Sequence, residues 1–415
     1  MPRLLLLLIL ALSGCAPAPP AADPTGPTVA DARAFAATQP RYLRPVPGSA
    51  VPGGLPDVRS ATCGACHQEI YAEWAISTHA RAWLDDAQFL AELAKSKEQG
   101  VDWMCMNCHT PYEDQLPTLV AGYEDGRKDR PILVPNPRFD PVMQKDAIGC
   151  ATCHVRDGKV IGPFGDTRAP HDTARGEDLL TVAVCTQCHQ ASATFVELNL
   201  ACTFDTGDEY LRGPYAAEGK VCQSCHMPEV VRPMAAGAGP RTTRRHWFGG
   251  SLIPKAAAFE AELAPLRDVF PDGLAASWEA LPETLAPGST ARLTVRYTNE
   301  AAGHLLPTGD PERFVRVTAS ATGADGVELA RTEHRIGAVY SWWPKVTKVS
   351  DNRLKPRESR VLELQFVVPD KGPVTLRLVA GKWRLNEENI AFHDLAGLAV
   401  AGRTFLDTTA AIPVR

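Results

Sequence analysis

The chain has 415 residues, 43 Lys and Arg against 48 Asp and Glu, and a formal charge of −5. That length allows two domains after any leader, and the mildly acidic balance offers no footprint for a nucleic-acid partner. Beyond the first residues no run is long and apolar enough to cross a bilayer as a helix. The first fifteen residues, MPRLLLLLILALSGC, carry one basic residue, a short apolar core and then small residues. They read as an export signal, with an apolar run too short to span a membrane. Residues 16–57 are rich in Pro, Ala and Gly without apolar periodicity, which is the composition of a flexible tether. A few tens of such residues reach roughly 35 Å, so the folded part is expected to stand off a membrane surface.

Leu12, Ser13, Gly14 and Cys15 resemble a bacterial lipobox, in which the cysteine becomes the lipid-bearing N-terminus after cleavage. The alternative is an ordinary secretory signal with a chance cysteine. By the same resemblance, Ala16 directs the expected lipoprotein to the outer membrane, facing either the periplasm or the cell surface.

Twelve cysteines in an exported chain first suggest a disulfide framework. Ten of them, however, form five C-x-x-C pairs, each followed at once by histidine: Cys63/Cys66/His67, Cys105/Cys108/His109, Cys150/Cys153/His154, Cys185/Cys188/His189 and Cys222/Cys225/His226. Disulfide or zinc pairs have no reason to place histidine next every time. Two thiols at this spacing add to the two vinyl groups on one edge of a porphyrin, and the adjacent imidazole lies under the iron as proximal ligand. Five covalently bound haem c groups are therefore expected, and their attachment outside the cytoplasmic membrane agrees with export. Cys63 to His226 spans 164 residues, too few for a large apolar core beside five macrocycles. The haems are expected to be that core, with Trp74, Trp83, Trp103, Phe164 and Phe195 against their faces or edges.

Whether a haem only carries electrons or also binds a substrate depends on its sixth ligand. Residues 63–83 read as one helix, with Ile70, Trp74 and Ile76 and no Gly or Pro after Gly64. His67 and His79 would then stand about 18 Å apart along the axis. Two ligands of one iron lie only about 4 Å apart, so His79 is expected to serve another haem, with a surface histidine as the alternative. His171 follows a Gly/Pro-rich loop that folds back over a neighbouring haem or forms a polar turn. His246 sits among Arg241, Arg244, Arg245 and Trp247; the arginines suit haem propionates, or the run is an exposed basic one. His304, in a turn between apparent strands, would have to reach back from a second domain. His334 and His393 read mainly as ordinary surface histidines. The fifth sixth-position is left to one of them, to Met104, Met106, Met143, Met227 or Met234, or to an open site admitting a small molecule. Cys202 has no C-x-x-C partner and reads as a buried thiol.

A haem domain is thus expected over residues 58–250 and a connector with a short helix over 251–271. From residue 272 to 415 the pattern changes to alternating runs, ARLTVRYTN, RFVRVTASAT, GVELARTEH, RVLELQFVV, PVTLRLVAG and AVAGRTFLD, which predict an antiparallel β-sandwich. The expected fold class is α+β, a mainly helical and loop haem domain followed by the sandwich. Asp310 and Glu312 read as turn residues, and nothing in the sandwich forms a catalytic constellation.

The segments CGACHQEIYAEWAISTHA, CMNCHTP, GCATCHVRDGKVIGPFGD, CQSCHMP, RRHWFGG and AGHLLPTGDPERFVRV together resemble multihaem cytochromes of the cytochrome c-554 family, in a pentahaem form with a C-terminal β domain. The resemblance covers residues of about 60–385. It implies that His79, in the segment with Trp74 and Ser77, and His304, in the segment with Gly303, Pro307, Thr308 and Gly309, are distal ligands, and that the sandwich caps a haem. Octahaem relatives that oxidise hydroxylamine or reduce nitrite depart from this pattern, since this chain has five sites and no CxxCK, so their activities are not carried over. The expected function is electron transfer between redox partner proteins by a membrane-tethered cytochrome. The alternatives are an oxidoreductase with one five-coordinate haem acting on a small nitrogen or sulfur compound, and a subunit of a larger electron conduit.

Overall fold

The structure is a computed structural model describing residues 26–165, 167–195 and 200–415. The export signal, Cys15 and the start of the expected tether lie outside the described residues.

The rest of that tether is packed structure. Helix α1 (Val29–Thr38) opens with a reciprocal capping box: the Thr28 hydroxyl accepts from the Asp31 amide, and the Asp31 carboxylate accepts from the Thr28 amide. Ala32 packs against Leu116 and Leu119, and Arg33 pairs with the buried Glu113. Further on, the buried Val46 exchanges backbone hydrogen bonds with Pro111 and Glu113. The Pro/Ala-rich composition concealed a helix whose buried face is alanine, a residue that hydrophobic periodicity does not register well.

The single helix expected over residues 63–83 is two. Helix α2 (Ser60–Gly64) and helix α3 (Gln68–Ala75) are separated at His67, whose backbone (φ −93°, ψ 51°) is not helical. They fold onto each other so closely that a Cβ on Gly64 would lie 2.5 Å from the Tyr71 ring. After Ala75 the chain turns, and His79 lies in that turned segment.

Helix α4 (Ala87–Glu98) leads into α5 (Asp102–His109), and α6 (Cys150–His154), α7 (Ala183–His189) and α8 (Cys222–His226) carry the remaining motifs. Each of α5 to α8 ends on the histidine of its C-x-x-C-H motif, so one helical turn presents both thiols and the imidazole on one side. Hairpins β1 (Thr118–Tyr123) with β2 (Pro131–Pro135), and β3 (Glu229–Pro233) with β4 (Pro240–Arg244), brace these helices.

The C-terminal region forms two antiparallel sheets. Its strands are β5 (Leu274–Trp278), β6 (Thr290–Asn299), β7 (Phe314–Thr322), β8 (Glu328–Ser341), β9 (Thr347–Asp351), β10 (Ser359–Val367), β11 (Val374–Trp383) and β12 (Gly402–Ile412). One sheet has the order β5-β6-β10 and the other β9-β8-β7-β11-β12. Alternate residues face inward: Leu293, Val295 and Tyr297 of β6 meet Leu362, Leu364 and Phe366 of β10 and the inner faces of β7 and β11 in one cluster of buried residues. All six predicted runs form strands. Strand β9 escaped sequence reading because every residue of this edge strand is exposed, leaving no alternation to see.

Candidate haem-binding site

The five motif helices face one cavity of about 2250 Å³, lined by all ten motif cysteines and all five motif histidines. All eleven described cysteines are free thiols, so the disulfide alternative finds no support among them. Across the cavity four histidine pairs stand opposed. The ring centres are 6.4 Å apart for His67 and His171, 6.4 Å for His79 and His189, 6.2 Å for His154 and His246, and 6.3 Å for His226 and His304. With a metal–nitrogen bond of about 2 Å on each side and half an imidazole beyond each, two rings trans on one iron lie about 6 Å apart. The four gaps fit an iron and are too wide for rings in contact.

The hydrogen bonds fit the same role. Nδ1 of His67 donates to Met234 O (2.7 Å), that of His109 to Ala82 O (2.6 Å), and that of His154 to Ile161 O (2.9 Å). His226 makes the equivalent bond to Gly249 O, His246 to Arg244 O (2.9 Å) and His304 to Leu305 O (2.9 Å). A proton fixed on Nδ1 leaves the Nε2 lone pair for a metal and sets the ring's orientation. Burial disfavours the imidazolium, holding His79 down to about 3 and His109, His189, His246 and His304 down to about 4. Neutral imidazole is the ligating form.

Different parts of the chain supply the opposing rings. His79 faces His189 and not His67, although the helix expected to separate them is broken. His171 is held by the segment once expected to be a tether: the Asp172 amide donates to Gly53 O (3.0 Å). Gly54 (φ +89°) approaches Pro170 so closely that a Cβ there would sit 2.1 Å from its carbonyl oxygen, so glycine is required. His304 does reach back from the sandwich. Asn299 donates to its carbonyl (3.0 Å), and the Thr308 hydroxyl donates to Glu209 of the haem region (2.6 Å).

The motif histidine His109 is the exception. Its ring stacks on Phe89 (3.7 Å between centres, 7° between planes), and no described histidine opposes it at the distance of the four pairs. His393 lines the cavity but bonds through Nε2 to Glu92 (2.7 Å). His334 is no candidate. It stands exposed on β8, opposite Val317 in the sheet, and hydrogen-bonds Tyr297 (2.8 Å) of the facing sheet, outside the cavity. Met143 is buried with Val46 and Tyr112, and Met106 packs on the cluster around Ala32, so neither lines the cavity.

The arginines near His246 are engaged by protein groups. Arg244 donates to Gln223 O and Met227 O, Arg245 pairs with Glu73, and Arg241 stacks on Phe164. Trp74 and Trp103 are buried, while the side chain of Phe195 lies outside the described residues. Sequence reading missed Phe248, whose ring lies 4.3 Å from His79 and 5.7 Å from His246, bridging two pairs. Its place two residues after His246 was the available signal. Cys202 pairs with Ala193 in a short hairpin, and burial pushes its thiol up.

No curated protein matches the sequence. Residues 62–127 match the family described as cytochrome c554 and c-prime. Among solved structures, a penta-heme cytochrome c552 from Thermochromatium tepidum is 17% identical, with 86% of this chain and 99% of that one covered at a TM-score of 0.57, so the two share a fold. A PapD-like domain of a human protein covers 34% of this chain and 85% of its own, at 12% identity and a TM-score of 0.18. Five attachment motifs thus converge on one cavity, the first two of them lie in a segment similar to the cytochrome c554 family, and the fold is that of a penta-haem cytochrome over most of the chain.

Proposed function

We propose that the chain is a five-haem electron relay, tethered through lipidated Cys15 to the outer membrane and passing electrons between redox partner proteins in the periplasm or at the cell surface. The observation that carries the relay is the set of four opposed histidine pairs at one iron-sized spacing. Each haem, when bound, supplies a one-electron couple. The paired histidines would hold a haem between them and leave no place for another ligand, which favours transfer over catalysis at those four centres.

Electron paramagnetic resonance of the oxidised protein tests the reading. Four low-spin bis-histidine centres and one high-spin centre are expected, with five haems per chain by mass; fewer than four low-spin centres would sink it. Changing Cys15 to Ala should release the protein from the membrane fraction, and retention there would refute the lipid anchor.

A second reading is favoured by His109, which lacks an opposed histidine. Its centre would bind a small nitrogen or sulfur compound directly. Nitric oxide should then perturb one high-spin signal and leave the other four unchanged, with turnover of a substrate required before the chain is counted an enzyme.

A further inference from the structure

Helix α3 begins just after His67, ends four residues before His79, and buries one carboxylate between them. Glu73 is 5% exposed and has three partners besides solvent. Arg232 of β3, itself 4% exposed, grips it with both terminal nitrogens (2.7 and 3.0 Å), and Arg245 donates to the same carboxylate at 2.5 Å. The backbone amide of His246 donates to its other oxygen (2.8 Å). Arg232 also donates to Arg244 O, the carbonyl that accepts the Nδ1 proton of His246. The exposed Glu69 is the remaining acidic group, 3.3 Å from Arg232. Trp74, next along the helix, donates its indole proton to Ile148 O (2.9 Å), two residues before Cys150. One helix thus contacts His246 directly through Glu73 and, through Trp74, the residues that lead into the helix carrying His154.

A buried ion cluster is weak evidence of stabilisation, because well-packed apolar side chains often do as well or better. Its orientation is more informative: every polar contact of Glu73 goes to the β3–β4 hairpin or to the two residues that follow it, Arg245 and His246. A carboxylate and two guanidiniums fixed in a dry region also set a local charge that a nearby redox couple feels with little screening.

We propose that Glu73 is the positioning and charge-setting residue of the His154/His246 centre, orienting His246 through its amide and lowering that centre's reduction potential by offsetting Arg232 and Arg245. The proposal rests on the relay reading. It gives a sign. Removing the Glu73 charge leaves two uncompensated cations, which favour the reduced state; removing Arg245 instead leaves the carboxylate less compensated and favours the oxidised state.

The test is a redox titration of the full haem-loaded protein followed by electron paramagnetic resonance, comparing Glu73→Gln, Glu73→Asp and Arg245→Gln. In Glu73→Gln one low-spin centre should shift by roughly tenfold in its reduction equilibrium toward the reduced form, about 59 mV for one electron. Arg245→Gln should move the same centre the other way, and Glu73→Asp, which keeps the charge, should restore most of the wild-type potential. A role confined to folding would not produce opposite signs at one centre. Shifts of the same sign in both variants, shifts shared by all centres, or no shift beyond threefold would overturn the proposal. Should Glu73→Gln fail to load haem, the sign of Arg245→Gln decides. If the wild-type protein shows no bis-histidine signal, the relay reading fails first and is distinguished from this one.

Discussion

The two halves of the chain solve the same problem, how to fill a centre, in opposite ways. The sandwich has one continuous cluster of buried apolar residues drawn from seven of its eight strands, with Leu354, Leu362, Leu364, Leu376 and Leu378 each at most 1% exposed. The haem region has only small patches, such as Val46, Val58, Tyr112, Met143, Ala151 and Val155, around a cavity of about 2250 Å³. A core made of side chains is complete when the chain folds. A core made of cofactor is not.

The largest expected consequence is a split in stability. Protein produced without haem attachment should lose amide-exchange protection across residues 58–250 and keep it in β6, β7, β10 and β11, because only the second group closes its own apolar core. Loss of protection throughout would show that the sandwich depends on the haem region, and the contrast would fail.

The same contrast explains what could be read from sequence. The five motifs were legible because covalent attachment fixes spacing within five residues, and the sandwich was legible because a half-buried strand imposes period two. The partners of His67, His79, His154 and His226 were not, since a trans pair joins residues about 80 to 110 apart and depends on tertiary placement. His304 was recovered through its resemblance to the family, and position alone argued against it. The failures were local. Residues 29–38 were read by composition, although Thr28 and Asp31 carried a legible helix-start signal. Residues 63–83 were read by the absence of Gly and Pro, which does not reveal that His67 leaves the helical region.

Within the sandwich, Leu364→Ala should cost about 2–5 kcal/mol, the range for emptying a buried leucine site. Leu364 is 1% exposed and lies midway along β10, opposite Leu293 of β6. Denaturant unfolding followed by far-ultraviolet dichroism should register the loss, while the haem absorption of the folded protein stays the same. A changed haem spectrum would mean that the two cores are packed as one.

A smaller effect belongs to the seam. Asp86 before α4 is 4% exposed and lies between Lys255 of the connector and Arg384 after β11. Burial alone would raise its pKa; the two cations beside it outweigh this and hold it down to about 2. Burial pulls Lys255 down to about 8 despite the same contact, so neither charge is comfortable without the other. For a depressed carboxylate the stabilisation is complete above its unfolded pKa of about 3.9 and is lost as pH falls through the folded value. Asp86 should therefore contribute about 2 kcal/mol at neutral pH that disappears between about pH 4 and 2. Asp86→Asn should flatten that part of the pH profile, and an unaltered profile would show that the seam does not depend on this cluster.

The smallest effect concerns the other side of the same seam, where Arg357 pairs with Glu218 of the haem region at 2.6 Å. Both side chains are well exposed, and a solvated pair recovers little after screening and side-chain entropy. Arg357→Ala should leave the unfolding midpoint and the haem signals unchanged within error. His304→Ala should convert the His226 centre from low spin to high spin, because its ring opposes His226 at 6.3 Å and belongs to the loop that also carries Thr308. If Arg357→Ala altered the His226 signal, the exposed pair would be positioning the His304 loop. If it did not while His304→Ala did, the sandwich would be joined to the haem region through a ligand rather than through its surface charges, and a domain able to fold without haem would still owe its place in the molecule to one.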